Sequence, residues 1–190
     1  IYEYINFTNE RVTSIAEIDG LYERTITVNG MSKAFAMTGW RIGYMGAPEW
    51  IAKACAKVQG QVTSGANAIA QRASIAALKA PKSKIQYMVD EFKRRRDLVL
   101  QLLNEIEGFK LNIPEGAFYV FPDISSFFGK TLRGRIINNA SDFSLYLLEE
   151  AMVATVTGEA FGDANCIRFS YAASEKDLRE AIRRIKESLQ

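Results

Sequence analysis

One long amphipathic stretch, residues 83–107, constrains the fold more than any other feature of the sequence. Its apolar residues recur every three or four positions and would share one face of a helix: Ile85, Met88, Phe92, Val99, Leu102, Leu103 and Ile106. Gly108 ends the pattern. A helix of this length can bridge two domains, so we expect one folded part before it and another after it.

Shorter strand and helix patterns alternate on both sides of that stretch. On the N-terminal side the sequence predicts strands at 24–28 and 42–46 and helices at 48–58 and 66–80. On the C-terminal side it predicts strands near 117–121, 152–156 and 166–171 and a loop at 124–139. It also predicts a helix near 141–150 and a final helix that begins at the N-cap Ser174. This alternation is typical of the α/β and α+β classes.

The composition is that of an ordinary globular protein, with 48% hydrophobic residues and a net charge of +2. Such a balance does not require a nucleic-acid or membrane partner, so we expect neither. The longest basic run, Lys93–Arg96, is flanked by Asp90, Glu91 and Asp97 and is predicted to be a solvated helix face. No apolar run is long enough to cross a membrane.

The absence of histidine narrows the possible chemistry. It excludes Ser-His-Asp and Cys-His nucleophile systems and His-ligated metal sites within this chain. Cys55 and Cys166 have no CxxC spacing, so we expect no zinc site, no disulfide framework and a reducing, cytoplasmic environment. Any reaction must therefore use Lys, Tyr, Arg, Asp or Glu side chains, or a bound cofactor.

Lys33 lies among small residues directly after the first predicted strand. It has two interpretations. An exposed loop lysine is the simpler one, since most lysines are solvated. The other is an amine in a partly apolar pocket that forms a Schiff base with a carbonyl cofactor, because Gly30, Ser32 and Ala34 would let a ring approach the backbone.

Arg41 follows eight residues later, between Trp40 and Ile42. A structural salt bridge is one explanation for an arginine in this position. The other is phosphate recognition, since the planar guanidinium fork matches the dianionic phosphate of pyridoxal phosphate. The short spacing from Lys33 favours the second explanation.

The segment Gly30–Gly43, GMSKAFAMTGWRIG, resembles the pyridoxal-phosphate lysine motif of the class I aminotransferases of fold type I. The resemblance extends over essentially the whole chain and is strongest to the bacterial-type aspartate aminotransferases. It implies an α/β fold made of the C-terminal part of that family's chain. The implied domains are the rest of the large cofactor-binding domain at 1–84, an interdomain helix at 85–108 and an α+β small domain at 109–190.

The resemblance also implies roles for individual residues. Lys33 would form a Schiff base with pyridoxal 5′-phosphate and then move the substrate proton, and Arg41 would bind the cofactor's phosphate. Ile1-Tyr2-Glu3 resembles the end of the family's Asp-Glu-x-Tyr segment, which implies that Tyr2 hydrogen-bonds the phenolic oxygen of the cofactor. Gly30 departs from relatives that have a phosphate-binding serine there.

Arg168 is the candidate for substrate binding. In a strand, Arg168 and Ser170 would share one face while the apolar Ile167 and Phe169 face the other way. An exposed strand face is one interpretation. The resemblance implies that Arg168 holds the substrate's α-carboxylate in a bidentate pair. Phe161 either closes over the site or packs in the core or a turn. We expect the aromatic residues of 116–122 to be core, and the alternative is that one of them lines the substrate entrance.

The resemblance implies transamination of an L-amino acid, aspartate, with 2-oxoglutarate by a homodimer that uses no metal. The aspartate that pairs with the pyridine nitrogen is expected two residues before Ile1, and the family's first phosphate-binding loop further upstream. We therefore expect this chain to be a fragment that is inactive alone. Alternatives are an aminotransferase for aromatic or other amino acids, a carbon–sulfur lyase, and the non-catalytic aminotransferase-like domain of a transcription regulator.

Overall fold

The long helix predicted from the sequence is present in the structure, a computed structural model that describes residues 1–8 and 10–190. This helix is α3, Ser83–Asn104. It ends before residue 107 because Ile106 N–H bonds the carbonyl of Leu103, three residues back, at 3.0 Å, instead of continuing the α pattern. Backbone contacts divide the chain inside α3 into two units, Ile1–Val89 and Asp90–Gln190.

The first unit contains a two-stranded antiparallel sheet and two further helices. The strands are β1, Thr27–Gly30, and β2, Gly43–Gly46, with Val28 opposite Met45. The helices are α1, Glu49–Val62, and α2, Ala68–Lys79. Asn67 caps α2, since its side chain accepts from the backbone N–H of Ile69 and Ala70.

β1 begins later than the predicted strand at 24–28. Residues Tyr22–Arg24 form a 3-10 turn instead. The hydroxyl of Thr25 donates to the carbonyl of Leu21 at 2.8 Å, which stabilises that turn. The threonine that suggested a strand thus supports a turn through a local side-chain bond.

The second unit contains a three-stranded antiparallel sheet in the order β3-β7-β6. Its strands are β3, Tyr119–Val120, β6, Val156–Thr157, and β7, Ile167–Ser170. A hairpin, β4 Thr131–Leu132 and β5 Arg135–Ile136, lies in the segment predicted as a loop at 124–139. Its two turn residues, Arg133 and Gly134, both have positive φ, the geometry that closes a tight hairpin.

Two helices complete the second unit and supply much of its core. They are α4, Ala140–Glu150, and α5, Glu175–Ser188. α5 begins at the predicted N-cap, because the Ser174 hydroxyl accepts from Asp177 N–H at 3.2 Å. The largest fully buried side chains of the second unit are Tyr146, Tyr171, Phe143, Leu103, Ile124, Ile137, Leu147, Ile167, Leu178 and Ile185.

The basic run Lys93–Arg96 is not the wholly solvated face that the sequence predicts. The Arg95 guanidinium donates to the carbonyl of Ala173 at 2.6 Å, and the Arg96 side chain, 11% exposed, donates to that of Pro114 at 3.0 Å. Four consecutive helical residues spread around most of the helix circumference, at about 100° each, so some must point inward. The run therefore holds loops of the second unit in place.

No helix within the described residues is both long and apolar enough to cross a membrane.

The two cysteines should differ sharply in reactivity. Cys166 is 5% exposed, and burial, followed by the hydrogen bond and charge of Asp163, raises the pKa of its thiol to about 11. Cys55 is exposed on α1. Because the thiolate is the reactive form, iodoacetamide at about pH 8 should modify Cys55 and leave Cys166 intact until urea is added. Peptide mass spectrometry checks this, and equal labelling in the folded chain would contradict it.

Candidate functional site

Lys33 lies in the loop that joins β1 to β2. The loop is closed at its base, where Met31 N–H donates to the carbonyl of Ile42 at 3.2 Å. Met31, Ala34 and Met37 are 0%, 5% and 8% exposed, so the loop has a buried apolar floor. Lys33 itself is half-buried, which differs from the fully solvated loop lysine of the simpler interpretation.

The Ile1–Ile5 segment packs against the start of the same loop. A Cβ at Gly30 would lie 3.3 Å from Cδ1 of Ile1 and 3.4 Å from the carbonyl oxygen of Ile42, so the backbone of β1 approaches both residues closely. The Asn29 amide donates to the Glu3 carboxylate at 2.7 Å. These contacts bring the segment that carries Tyr2 beside the loop that carries Lys33.

Two phenols lie close to Glu3 in this part of the molecule. The Tyr4 ring packs on Phe35 with centroids 5.3 Å apart. Burial, and then the negative charge of Glu3, raise the pKa of Tyr4 above its ordinary value. The same causes, with Tyr4 added, raise the pKa of Tyr44 on β2. Both phenols are therefore protonated near neutral pH and remain hydrogen-bond donors.

Arg41 has a left-handed backbone, with φ 52° and ψ 50°, at the end of the 3-10 turn Thr38–Trp40. This conformation costs a non-glycine residue about 1 kcal/mol. Its guanidinium donates once, to the carbonyl of Thr38 at 3.1 Å, and within residues 1–8 and 10–190 no carboxylate pairs with it. The salt-bridge explanation is thus not supported, and most of the donors of Arg41 remain for an anion.

Arg168 lies in β7 and is half-buried, while Ile167 and Phe169 are buried on the opposite face, as predicted. Its guanidinium carbon lies 4.3 Å from the ring centroid of Phe161 and 4.5 Å from that of Tyr119. In Asp90–Gln190, all of which is described, Arg168 is the one arginine without a carboxylate partner. The donor edges of its guanidinium are therefore available for an anionic ligand.

The candidate residues are divided between the two units. Tyr2, Lys33 and Arg41 lie in the first unit and Arg168 lies in the second. Tyr119 and Phe161 contact Arg168. Closure over the site was one of the two predictions for Phe161, whereas the contact between Tyr119 and Arg168 was not predicted. Within the described part of the chain, no group of three Cys, Asp or Glu side chains is placed to bind a metal ion.

The turn that carries Phe161, Gly158–Phe161, depends on the glycine at its start. A Cβ at Gly158 would meet the backbone oxygens of Asp163 and Cys166 more closely than real Cβ atoms do. Gly158→Ala should therefore destabilise this chain by more than about 3 kcal/mol, because backbone atoms must move to admit the methyl group. Urea denaturation measures the loss.

Gly129→Ala is the matched control for Gly158. A Cβ at Gly129 has nothing within 4 Å, and only its φ of +79° opposes a side chain. That substitution should cost about 1–2 kcal/mol. Equal losses at the two glycines would contradict the steric explanation.

Over residues 1–185 the sequence matches the protein family described as aminotransferase class I and II. It is 48% identical over 193 residues to an aspartate aminotransferase of Pinus pinaster, covering 100% of this chain and 39% of that protein. It is 49% identical to an aspartate aminotransferase of Rhizobium meliloti (strain 1021), and the match covers 97% of this chain and 46% of that protein.

Solved structures show the same likeness. The crystal structure of an aspartate aminotransferase from Rhizobium meliloti superposes with a TM-score of 0.95 at 46% identity, covering 100% of this chain and 48% of that one. The crystal structure of an aromatic aminotransferase from Pyrococcus horikoshii OT3 superposes with a TM-score of 0.88 at 40% identity. The match covers 100% of this chain and 49% of that one. The chain thus spans less than half the length of these relatives, and the predicted α/β fold is confirmed.

The matched family depends on pyridoxal 5′-phosphate. The first unit suits that group, because its loop carries a half-buried lysine between buried apolar residues, and Arg41 has no carboxylate partner among the described residues. Lys33 is a candidate for its aldehyde, Arg41 for its phosphate and Tyr2 for its phenolic oxygen.

Proposed function

Because this chain belongs to the class I and II aminotransferases, we propose that the whole protein transfers the amino group of an L-amino acid to a 2-oxo acid. Aspartate and 2-oxoglutarate are the proposed pair. The names of the relatives, several of which are called aspartate aminotransferase, support the choice of aspartate.

The observation that carries the proposal is the absence of a carboxylate partner for both Arg41 and Arg168 among the described residues. The other arginines of the second unit are neutralised by Asp or Glu side chains. A guanidinium held without a counter-ion is suited to an external anion. A phosphorylated cofactor and an amino acid carboxylate supply two such anions.

Lys33 is the proposed proton carrier. When bound, pyridoxal phosphate supplies an aldehyde that condenses with amines and a ring that accepts the electron pair left on the substrate's Cα. Lys33 Nζ takes the proton from Cα as a general base and returns it as a general acid. Its half-buried position in a loop whose neighbouring residues Met31, Ala34 and Met37 are buried supports this role.

The two arginines orient the reacting molecules. Arg41 anchors the phosphate, and its left-handed backbone at the end of a short turn fixes the starting direction of its side chain. Arg168 binds the α-carboxylate that every amino acid and 2-oxo acid substrate carries. Tyr2 donates a hydrogen bond to the cofactor's phenolic oxygen.

The direct test is to incubate the whole protein with pyridoxal phosphate, aspartate and 2-oxoglutarate and to measure oxaloacetate. We expect turnover by the whole protein and none by this chain alone, because it spans less than half the length of its relatives. Borohydride reduction of the loaded protein followed by peptide mass spectrometry should find the pyridoxyl group on Lys33. No oxaloacetate from the whole protein would overturn the proposal.

A second acceptor is suggested by the names of other relatives. A protein of Petunia hybrida, 49% identical to this chain, is named bifunctional aspartate aminotransferase and glutamate/aspartate-prephenate aminotransferase. One of Cereibacter sphaeroides, 46% identical, is named aspartate/prephenate aminotransferase. Adding prephenate to the panel, with aspartate or glutamate as donor, tests this. An aromatic aminotransferase remains the alternative, and turnover of phenylalanine in place of aspartate would favour it.

We also propose a homodimer in the cytoplasm and the domain division at 1–84, 85–108 and 109–190. Family membership supports the dimer, since class I and II aminotransferases are typically dimeric. The boundary between Val89 and Asp90, inside α3, supports the division. Sedimentation of the whole protein measures the subunit number, and a monomer at micromolar concentration would contradict the dimer.

A further inference from the structure

Arg168 is held by aromatic rings rather than by carboxylates. We propose that Tyr119 and Phe161 are positioning residues that form an aromatic clamp on its guanidinium and set it for a substrate carboxylate, a role that rests on the proposed function. The two ring centroids lie 4.5 and 4.3 Å from the guanidinium carbon, well within the distance for cation–π attraction.

The clamp can order the Arg168 side chain and still leave its N–H donors available, which a salt bridge could not do. An arginine side chain has four rotatable bonds, and fixing it costs conformational entropy at every binding event unless it is already ordered. A carboxylate partner would order it but would occupy the N–H donors that a substrate needs. Ring faces attract the guanidinium through its plane and leave those donors unused.

The sheet places Tyr119 and Arg168 together. Tyr119 of β3 is paired with Ser170 of β7, and Arg168 precedes Ser170 by two residues on the same face. Tyr119 and Arg168 are therefore diagonal neighbours on adjacent strands, within reach of long side chains. This contact follows from the register of the sheet.

Phe161 reaches the guanidinium from the other neighbouring segment. It ends the 3-10 turn Gly158–Phe161, which follows β6, and β6 pairs with β7 on the side opposite β3. Gly162, at φ 93°, redirects the chain immediately after it. Arg168 thus receives one ring from each neighbouring strand region.

Both rings are themselves fixed by further aromatic contacts. Phe161 packs edge-on against Phe121 at 6.3 Å, and Tyr119 packs on Phe118 at 4.7 Å. Phe118 in turn stacks on Phe92 of α3 at 5.3 Å. A clamp built on fixed rings can hold Arg168 before the substrate arrives, which is how preorganisation raises affinity.

The kinetic test uses the whole protein with Phe161→Leu and Phe161→Tyr. Leucine keeps apolar bulk but removes the ring, whereas tyrosine keeps the ring. We expect Phe161→Leu to raise the KM for both aspartate and 2-oxoglutarate about three- to ten-fold with kcat changed less than about two-fold. Phe161→Tyr should restore a KM close to the original.

Phe128→Leu is the matched control, because Phe128 is another phenylalanine of the second unit that is not fully buried, and it makes no ring contact with Arg168 in the described chain. Its KM values should not change. An unchanged KM in Phe161→Leu, or a fall in kcat without a rise in KM, would overturn the clamp. So would equal effects of the leucine and tyrosine variants.

An NMR measurement on this chain tests the clamp without any turnover. With 15N-arginine labelling, the Arg168 Hε resonance should lie upfield of the other arginine signals because of ring currents, and less so in Phe161→Leu. Acetate is the probe, and it should shift this resonance at lower concentration in the original chain than in Phe161→Leu. If the whole protein does not transaminate but these shifts are observed, the proposed function is wrong and the clamp is still supported. An Arg168 resonance that is not shifted upfield would overturn the clamp.

Discussion

Lys33→Ala should lower kcat for transamination by the whole protein at least about a thousand-fold, because one side chain is assigned both the covalent attachment and the proton transfer. Lys33 is half-buried in the loop between β1 and β2, which also carries the buried Met31, Ala34 and Met37. Steady-state rates of oxaloacetate formation measure the loss. Cofactor content should be measured in parallel, so that weaker binding of pyridoxal phosphate is separated from slower chemistry.

Two further variants sharpen the result. Lys33→Arg keeps the positive charge but neither condenses with an aldehyde nor gives up its proton readily, so it should be as slow as Lys33→Ala. Lys53→Ala removes an exposed lysine that only pairs with Glu49 one helical turn away, and it should leave kcat unchanged. A Lys33→Ala protein that keeps a tenth or more of its kcat would exclude Lys33 as the proton carrier.

The sequence predicts the presence of the strands on either side of Lys33 better than it predicts the limits of the strands, and the roles of the candidate residues remain predictions. Lys33 and Arg41 are found because they lie in one contiguous segment with small neighbours. The predicted strand at 117–121 shortens to Tyr119–Val120, since Ala117 has a left-handed φ of 60° that a strand does not contain. Apolar β-branched and aromatic patterns carry no signal for such a local backbone conformation.

The contacts of Arg168 show a second limit of sequence reasoning. Alternation of side chains predicts that Arg168 faces away from the buried Ile167 and Phe169, and the structure confirms it. The ring of Tyr119 comes from a strand 49 positions earlier, and strand register cannot be derived from alternation alone. The aromatic residues of 116–122 are the available signal; they predict a core strand, with a residue lining the substrate entrance as the alternative.

The largest effect expected outside Lys33 is at Arg168. Arg168→Lys retains the charge but replaces the planar fork with a single ammonium, so a bidentate pair with the α-carboxylate becomes a single contact. The lost bond to a charged group is worth roughly 1.5–3 kcal/mol, which corresponds to about a ten- to hundred-fold rise in KM. Both aspartate and 2-oxoglutarate should be affected equally, since each carries the same α-carboxylate.

Parallel changes for the two substrates are what identify this role. A contact with the side-chain carboxylate would instead separate dicarboxylic substrates from others, and a contact with the cofactor would change its occupancy. Arg184→Lys is the control, because Arg184 is exposed and pairs with Glu180 one turn away on α5. If Arg168→Lys changed KM no more than Arg184→Lys does, the carboxylate site would have to be sought elsewhere, and the aromatic clamp around Arg168 would have only a structural role.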